Sequence, residues 1–248
     1  MPFSHCLTRQ QRIIRKEDKM SQEELKCACS VRQLFHQLEE TQAKSLLEQV
    51  EFPWEALPKI HDFILQLGAT LSPDCYEEKE EHIWIAKSAK IYPNATILGP
   101  TIIGPDTEVR PGAFIRGNAL VGAGCVIGNS TELKNVIIFN SVQVPHYNYV
   151  GDSILGYKSH MGAGSITSNV KADKTLVEVK GLDGSIATGL KKFGAILGDH
   201  VEIGCNTVLN PGSVVGSNSN VYPVSMVRGY IPSGSIYKKQ GEVAEKQD

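Results

Sequence analysis

Aromatic residues make up only 7% of this 248-residue chain. No apolar run approaches the roughly 18 residues that a membrane-spanning helix needs. Charge of one sign is not in excess either. Formal net charge is −2 and the pI about 6.4, so no global attraction to nucleic acid or anionic lipid is encoded. Cysteine is sparse and dispersed, at 6, 27, 29, 75, 125 and 205. With no secretory signal pattern this usage points to free thiols in a reducing cytoplasm, and Cys27 and Cys29 lack the two-residue gap of a zinc or redox knuckle. The length suits one large domain, or one domain with a small attachment, and is short for two full-sized enzyme domains in tandem.

What is present divides the chain. The first twenty residues carry Arg9, Arg12, Arg15, Lys16 and Lys19 against Glu17 and Asp18. They read as a disordered basic arm, with Met20 opening a cleaner helical sequence. Ser21 followed by Glu24 forms a capping-box pattern. Val31, Leu34, Phe35 and Leu38, then Leu46, Leu47 and Val50, recur at helical spacing, and a second short helix runs past Pro53 to Gly68. These helices read as packing or docking elements. Residues 70–82, rich in glutamate, read as a linker, so that 21–81 is a helical segment with its tether.

From Ile85 the period becomes six. Aliphatic residues stand at Ile85, Ile91, Ile97, Ile103, Val109, Ile115, Val121, Ile127 and Leu133, with a small residue four places after each for most of the run. The phase slips through 139–149, resumes at Leu155 and Met161, and restarts after an insertion at Leu197 through Val227. Neither a helix of period 3.6 nor a strand of period 2 fits. A short fixed repeat predicts a solenoid in which each coil buries its face against its neighbours. Three six-residue sides predict coils of about eighteen residues stacked at the ~4.8 Å strand spacing. The expected fold is therefore mainly β, a parallel β-helix over 82–232. A hairpin loop is inserted at 167–194, where Asp183-Gly184 signals a turn, and a polar tail follows at 233–248.

Function is expected where the period breaks, at Val144-Pro145-His146-Tyr147-Asn148-Tyr149-Val150-Gly151-Asp152-Ser153. This segment, with Arg110-Pro111-Gly112-Ala113, Glu132-Leu133-Lys134, Gly162-Ala163-Gly164 and Ile166-Thr167-Ser168-Asn169, resembles the hexapeptide-repeat acyltransferases over roughly residues 83–232. It looks like the sugar-1-phosphate acetyltransferase domains of bifunctional bacterial uridyltransferases and archaeal-type nucleotidylyl/acetyltransferases. The resemblance implies left-handed coils, a homotrimer, and acetyl-CoA as co-substrate. It also implies N-acetylation of glucosamine- or galactosamine-1-phosphate for UDP-N-acetyl-sugar synthesis.

Residue by residue, the resemblance makes His146 the general base, since transfer to an amine needs a free lone pair and histidine titrates nearest neutrality. Arg110 and Lys134 match the residues that hold the sugar phosphate, Tyr149 and Asn169 match sugar contacts, and Ala163 matches a backbone contact to acetyl-CoA. His160 replaces a family asparagine that faces substrate, and Lys174 is favoured over Lys171 as the matching lysine. Each has a plainer alternative: a histidine or tyrosine at a solenoid corner, solvated cations, a turn asparagine, a small corner residue. Lys191 and Lys192 read as a solvated pair, and the hairpin as a wall that reaches a neighbouring subunit. Other readings remain: a pyrophosphorylase-like protein without its nucleotidyltransferase domain, or a non-catalytic sugar-nucleotide-binding or partner-docking β-helix. A zinc enzyme on this fold is disfavoured, because His146, His160 and His200 lack ligand spacing.

Overall fold

In the computed structural model, which describes residues 13–14, 20–239 and 242–246, the repeat folds as a stack of three-strand coils. The first side is the row Lys90–Ile91, Glu108–Val109, Val126–Asn129, Gln143–His146, His160–Met161, Glu202–Ile203 and Asn220–Val221. The second side runs through Thr96–Ile97, Phe114–Ile115, the starts of Glu132–Ile138 and Tyr149–Leu155, then Ile166–Thr167, Val208–Leu209 and Met226–Val227. The third runs through Ile83–Ala86, Thr101–Ile103, Ala119–Val121, the ends of the two long strands, Ala195–Leu197 and Ser213–Val215. Pairing between coils is parallel throughout. The aliphatic positions of the repeat pack into the interior, and Val109, Ile115, Val121, Ile127 and Leu133 among them are completely buried.

The phase slip has a simple cause. Ile115 lies beneath Leu133, 18 residues on, but Leu133 lies beneath Val150, 17 residues on. One residue is missing from the corner between the second and third sides in two successive coils. The tight corners are turned by Asn135 and Asp152, both left-handed at φ 54 and 47, a conformation that Asn and Asp tolerate best after glycine. In the next coil the same corner opens into the insertion, and Ile166 meets Val208 only 42 residues later.

Open edges of a parallel stack invite pairing with other chains, and here each end carries an antiparallel strand. Residues 76–80, expected in a linker, form the strand Tyr76–Glu80 against Ile83–Ala86, turning at left-handed His82. Their glutamates stand exposed on an edge strand rather than in an irregular tether. At the far end Ser235–Lys239 pairs with Glu242–Glu245, so the tail read as polar is a hairpin, and Ile13–Ile14 adds to it. The rest of the basic arm lies outside the described residues.

The helices are shorter than the periodicity predicts. They comprise α1 (Gln22–Ala28), α2 (Val31–Leu34), α3 (Lys44–Leu47) and α4 (Ile60–Gly68), with 3₁₀ turns at Leu38–Glu40 and Pro53–Lys59. The capping box at Ser21 and Glu24 is present. The segment covers the third side. Outward-pointing Ile102, Leu120, Ile137, Ile154, Ile196 and Val214 are all buried, each worth on the order of 1.5–3 kcal/mol. Asp199, itself buried, fixes the segment in place. Its carboxylate accepts from the backbone of His36 (2.8 Å), Gln37 (3.1 Å) and Tyr157 (2.9 Å). Burial pushes its pKa up, while those three donors pull it down.

The insertion folds back as the hairpin Glu178–Lys180 and Ser185–Ala187, with Val179 opposite Ile186. It rests on its own chain: Leu25 of α1 packs over Gly181, and Gln22 donates to the Ser185 carbonyl. These contacts fix the hairpin against α1.

Candidate active site

The second side and its two corners carry most of the residues singled out by the sequence. At the corner with the third side, Asp152 is buried and acts as a hub. Its Oδ1 accepts from Asn135 Nδ2 (2.9 Å), and its Oδ2 accepts from Asn169 Nδ2 (2.5 Å) and faces Lys134 Nζ at 3.4 Å. The Asn169 amide also reaches the Tyr149 hydroxyl at 3.1 Å. Lys134, Tyr149 and Asn169 therefore form one cluster, joined by a carboxylate that the sequence reading did not single out. Burial, then the nearby Asp152 and Glu132 carboxylates, push the Tyr149 phenol up from its ordinary value, so it stays a neutral donor.

The cluster is held from beneath and behind. Thr167 and Ser153 stand at interior positions where the coil is broken, and both are fully buried. The Ser153 hydroxyl donates to the Gly151 carbonyl at 2.7 Å and accepts from Ala195 N at 3.0 Å, while Thr167 Oγ1 accepts from Gly151 N at 2.9 Å. Backbone groups freed by the insertion are thus satisfied. Asn135 also donates to the Leu57 carbonyl at 3.4 Å. Trp54, stacked on Phe52, lies 5.7 Å from the Phe193 ring, where the chain returns from the insertion. The helical segment, which shows no catalytic spacing of its own, therefore buttresses the site.

His146 stands at the opposite edge of the second side, above Asn129. Its imidazole is exposed and has no hydrogen-bond partner among the described residues. The backbone beneath it is rigid. Buried Asn148 accepts from His146 N at 3.1 Å and donates to the carbonyls of Gly162 (2.9 Å) and Ser165 (3.1 Å) in the next coil. Ala163 follows His146 one coil on, where Gly164 N donates to the His146 carbonyl at 3.0 Å.

Arg110 shares the His146 corner, two coils below, paired with Glu108 at 3.2 Å. It does not join Lys134, which lies across the width of the side. The cation directly below Lys134 in the stack is Arg116, 2.6 Å from Glu132. His160 lies on the first side, its Nδ1 2.8 Å from Glu202 Oε2, and outside the cluster. Lys174 sits in an exposed turn of the insertion with no side-chain contact to the cluster. Lys171 is held by Thr175 and the Leu176 carbonyl. Among the described residues no group of His, Cys, Asp and Glu could hold a metal, and no helix is long and apolar enough to cross a membrane.

Residues 97–219 match the family described as the GMPPB C-terminal domain. An uncharacterized acetyltransferase, YaiX of Escherichia coli O6:K15:H31, is 30% identical over 180 residues, covering 65% of this chain and 77% of YaiX. The chain belongs to the hexapeptide-repeat acetyltransferases. Two further relatives are bifunctional. The Methanococcus vannielii protein GlmU is 36% identical over 141 residues, 56% of this chain and 34% of GlmU. A sugar-1-phosphate nucleotidylyltransferase/acetyltransferase of Sulfurisphaera tokodaii is 32% identical over 163 residues, 58% of this chain and 41% of that protein. The chain thus spans well under half the length of these two bifunctional relatives.

Proposed function

We propose that the protein transfers an acetyl group from acetyl-CoA to the amine of an amino-sugar 1-phosphate, glucosamine-1-phosphate or galactosamine-1-phosphate. The observation that carries this reading is the exposed, unpartnered imidazole of His146 at the edge of a side that also presents Tyr149, Asn169 and Lys134. The names of the bifunctional relatives supply the substrate class. In this mechanism the amine nitrogen attacks the thioester carbon and His146 takes the proton that the amine loses. The carbon–sulfur bond breaks, and CoA leaves as the thiol once the proton held by His146 passes to its sulfur. Tyr149 and Asn169 offer phenol and amide groups to the sugar, and Lys134 with Arg110 offers charge to its phosphate. Ala163 supplies a backbone contact to acetyl-CoA one coil beyond His146. His160 and Lys174 would contribute only if a second copy brought their surfaces to the site.

A homotrimer is part of this proposal. Tyr147 (65% exposed), Val224 (81%) and Met226 (52%) line the second side and its His146 corner, and exposed apolar groups so grouped suit contact with another copy. Light scattering is expected to give three times 27.1 kDa, and a monomer overturns the shared-site reading. We place the protein in the cytoplasm, on the grounds of its free thiols.

The test is turnover across a panel of amino-sugar phosphates with acetyl-CoA. His146→Ala is expected to lower the rate by about 10²–10⁴, the usual worth of a general base, with its circular dichroism unchanged. Undiminished turnover in that variant removes His146 from the base role.

A further inference from the structure

A groove of about 520 Å³ lies between the insertion and the corner of the second and third sides, within the range of small-ligand clefts, roughly 300–1,000 Å³. Its charged and polar walls are Lys171, Asp173, Thr175, Glu178, Lys180 and Arg228. The backbone that carries two of its cations is held by close contacts. The strand Glu178–Lys180 crosses the corner so closely that a Cβ on Gly212 would stand 2.6 Å from the Glu178 carbonyl oxygen. On Gly229 a Cβ would stand 2.2 Å from that of Lys180. Both glycines are left-handed, so the contact depends on them. Arg228 directly precedes Gly229, which brings it and Lys180 to one rim.

The carboxylates of the groove are engaged by neighbours other than Lys180 and Arg228. Asp173 accepts from the Thr175 amide (3.0 Å) and hydroxyl (2.8 Å) and lies 3.7 Å from Lys171. Glu178 accepts from the Ser185 hydroxyl at 3.2 Å. Among the described residues neither Lys180 nor Arg228 has an ion-pair partner. Both line the groove, and a guanidinium fork with an ammonium on one wall matches phosphate oxygens. Register extends the argument, since Leu133 and Val227 occupy equivalent positions on the second side. Arg228 therefore stands in the same row as Lys134, further along the stack.

We propose that this groove binds the phosphate groups of an extended ligand whose reacting end lies at the His146 side. Two sources share this chemistry: the nucleotide end of CoA, or a nucleoside diphosphate carried by the acceptor. The inference rests on the acetyl-transfer reading only in the choice of ligands.

Calorimetry with inorganic pyrophosphate, CoA, dephospho-CoA and UDP tests it. The proteins are the wild type, the double variant Lys180→Gln/Arg228→Gln, and a control, Lys191→Gln/Lys192→Gln, at two exposed lysines outside the groove. Pyrophosphate is expected to bind the wild type in a salt-dependent manner. The groove variant should weaken it by roughly tenfold or more, and the control by less than about twofold. A matching loss for CoA assigns the groove to the acyl donor, with dephospho-CoA showing whether the 3′-phosphate is the group held. A loss for UDP assigns it to the acceptor. Absence of pyrophosphate binding, equal binding by the groove variant, or an equal loss in the control overturns the proposal. Wild-type turnover is measured on the same preparation. Turnover without charge-dependent binding defeats the groove alone, and charge-dependent binding without turnover defeats the acetyl-transfer reading alone.

Discussion

Asp152 shows how much of this surface rests on a single side chain. It is a buried carboxylate in a left-handed corner, and it contacts a lysine and an amide from the coil before it and an amide from the coil after it. Removing such a group leaves its donors unsatisfied, at a cost of about 1–3 kcal/mol. Asp152→Asn is therefore expected to lower kcat/KM for the sugar phosphate by roughly tenfold, mostly through KM, because Lys134 and Asn169 lose their common anchor. Steady-state kinetics against both substrates checks this; an effect confined to acetyl-CoA would contradict it. The raised phenol of Tyr149 gives a second expectation. Its ionisation is disfavoured in the folded state, so this group's stabilising contribution is lost as pH climbs through its folded pKa, above 10. In a spectrophotometric titration, the component missing from Tyr149→Phe should lie above pH 10. His146, Lys134, Tyr149 and Asn169 were legible because they match a family motif in place. Asp152 and Asn135 were not, although Asp152 stands inside the same segment. Their meeting depends on a separation of 17 residues, which becomes visible only once the coil is known to be one residue short.

The elements obey two constraints that the period alone expresses unequally. Interior packing follows directly from the six-residue repeat, so the sides and their inward residues were readable from Ile85 onward. The covering of the third side was also written in the chain, as paired aliphatics at Ile102-Ile103, Leu120-Val121, Ile137-Ile138, Ile154-Leu155 and Ile196-Leu197. In each pair one residue faces inward and one outward, and an apolar outward residue requires a cover. The short helices were harder to read. Their apolar spacing serves a curved strip of sheet rather than one straight face, and Pro53 and Pro58 cut the run into 3₁₀ turns. Close stacking at the His146 corner yields a mutational test. A Cβ at Gly128 would stand 1.6 Å from the Pro145 carbonyl oxygen. Gly128→Ala is therefore expected to cost about 3 kcal/mol or more, and to displace the segment that carries His146. Thermal melting gives the first effect and turnover the second; a variant as stable as the wild type would contradict the packing described.

At the scale of the whole molecule, the helical segment and the solenoid are one folding unit. Without residues 21–75 the outward row from Ile102 to Val214 would face water, a contiguous apolar strip of the kind that drives association. Deleting those residues is expected to yield aggregated material on size exclusion, while the full chain elutes as a discrete species. Recovery of a monodisperse truncated solenoid would show that the strip tolerates water. The same geometry has a consequence for synthesis. Neighbouring coils meet at separations of 17 and 18 residues and can form as they leave the ribosome. The helices emerge before any coil, yet the Leu34 carbonyl waits for Ser217, 183 residues later, and the amide of His36 for Asp199, 163 residues later. Throughout most of translation the apolar face of the helical segment has no finished surface to meet. The nascent chain is then exposed to mispairing for longest at its oldest part, and the last coils to be made decide when that exposure ends.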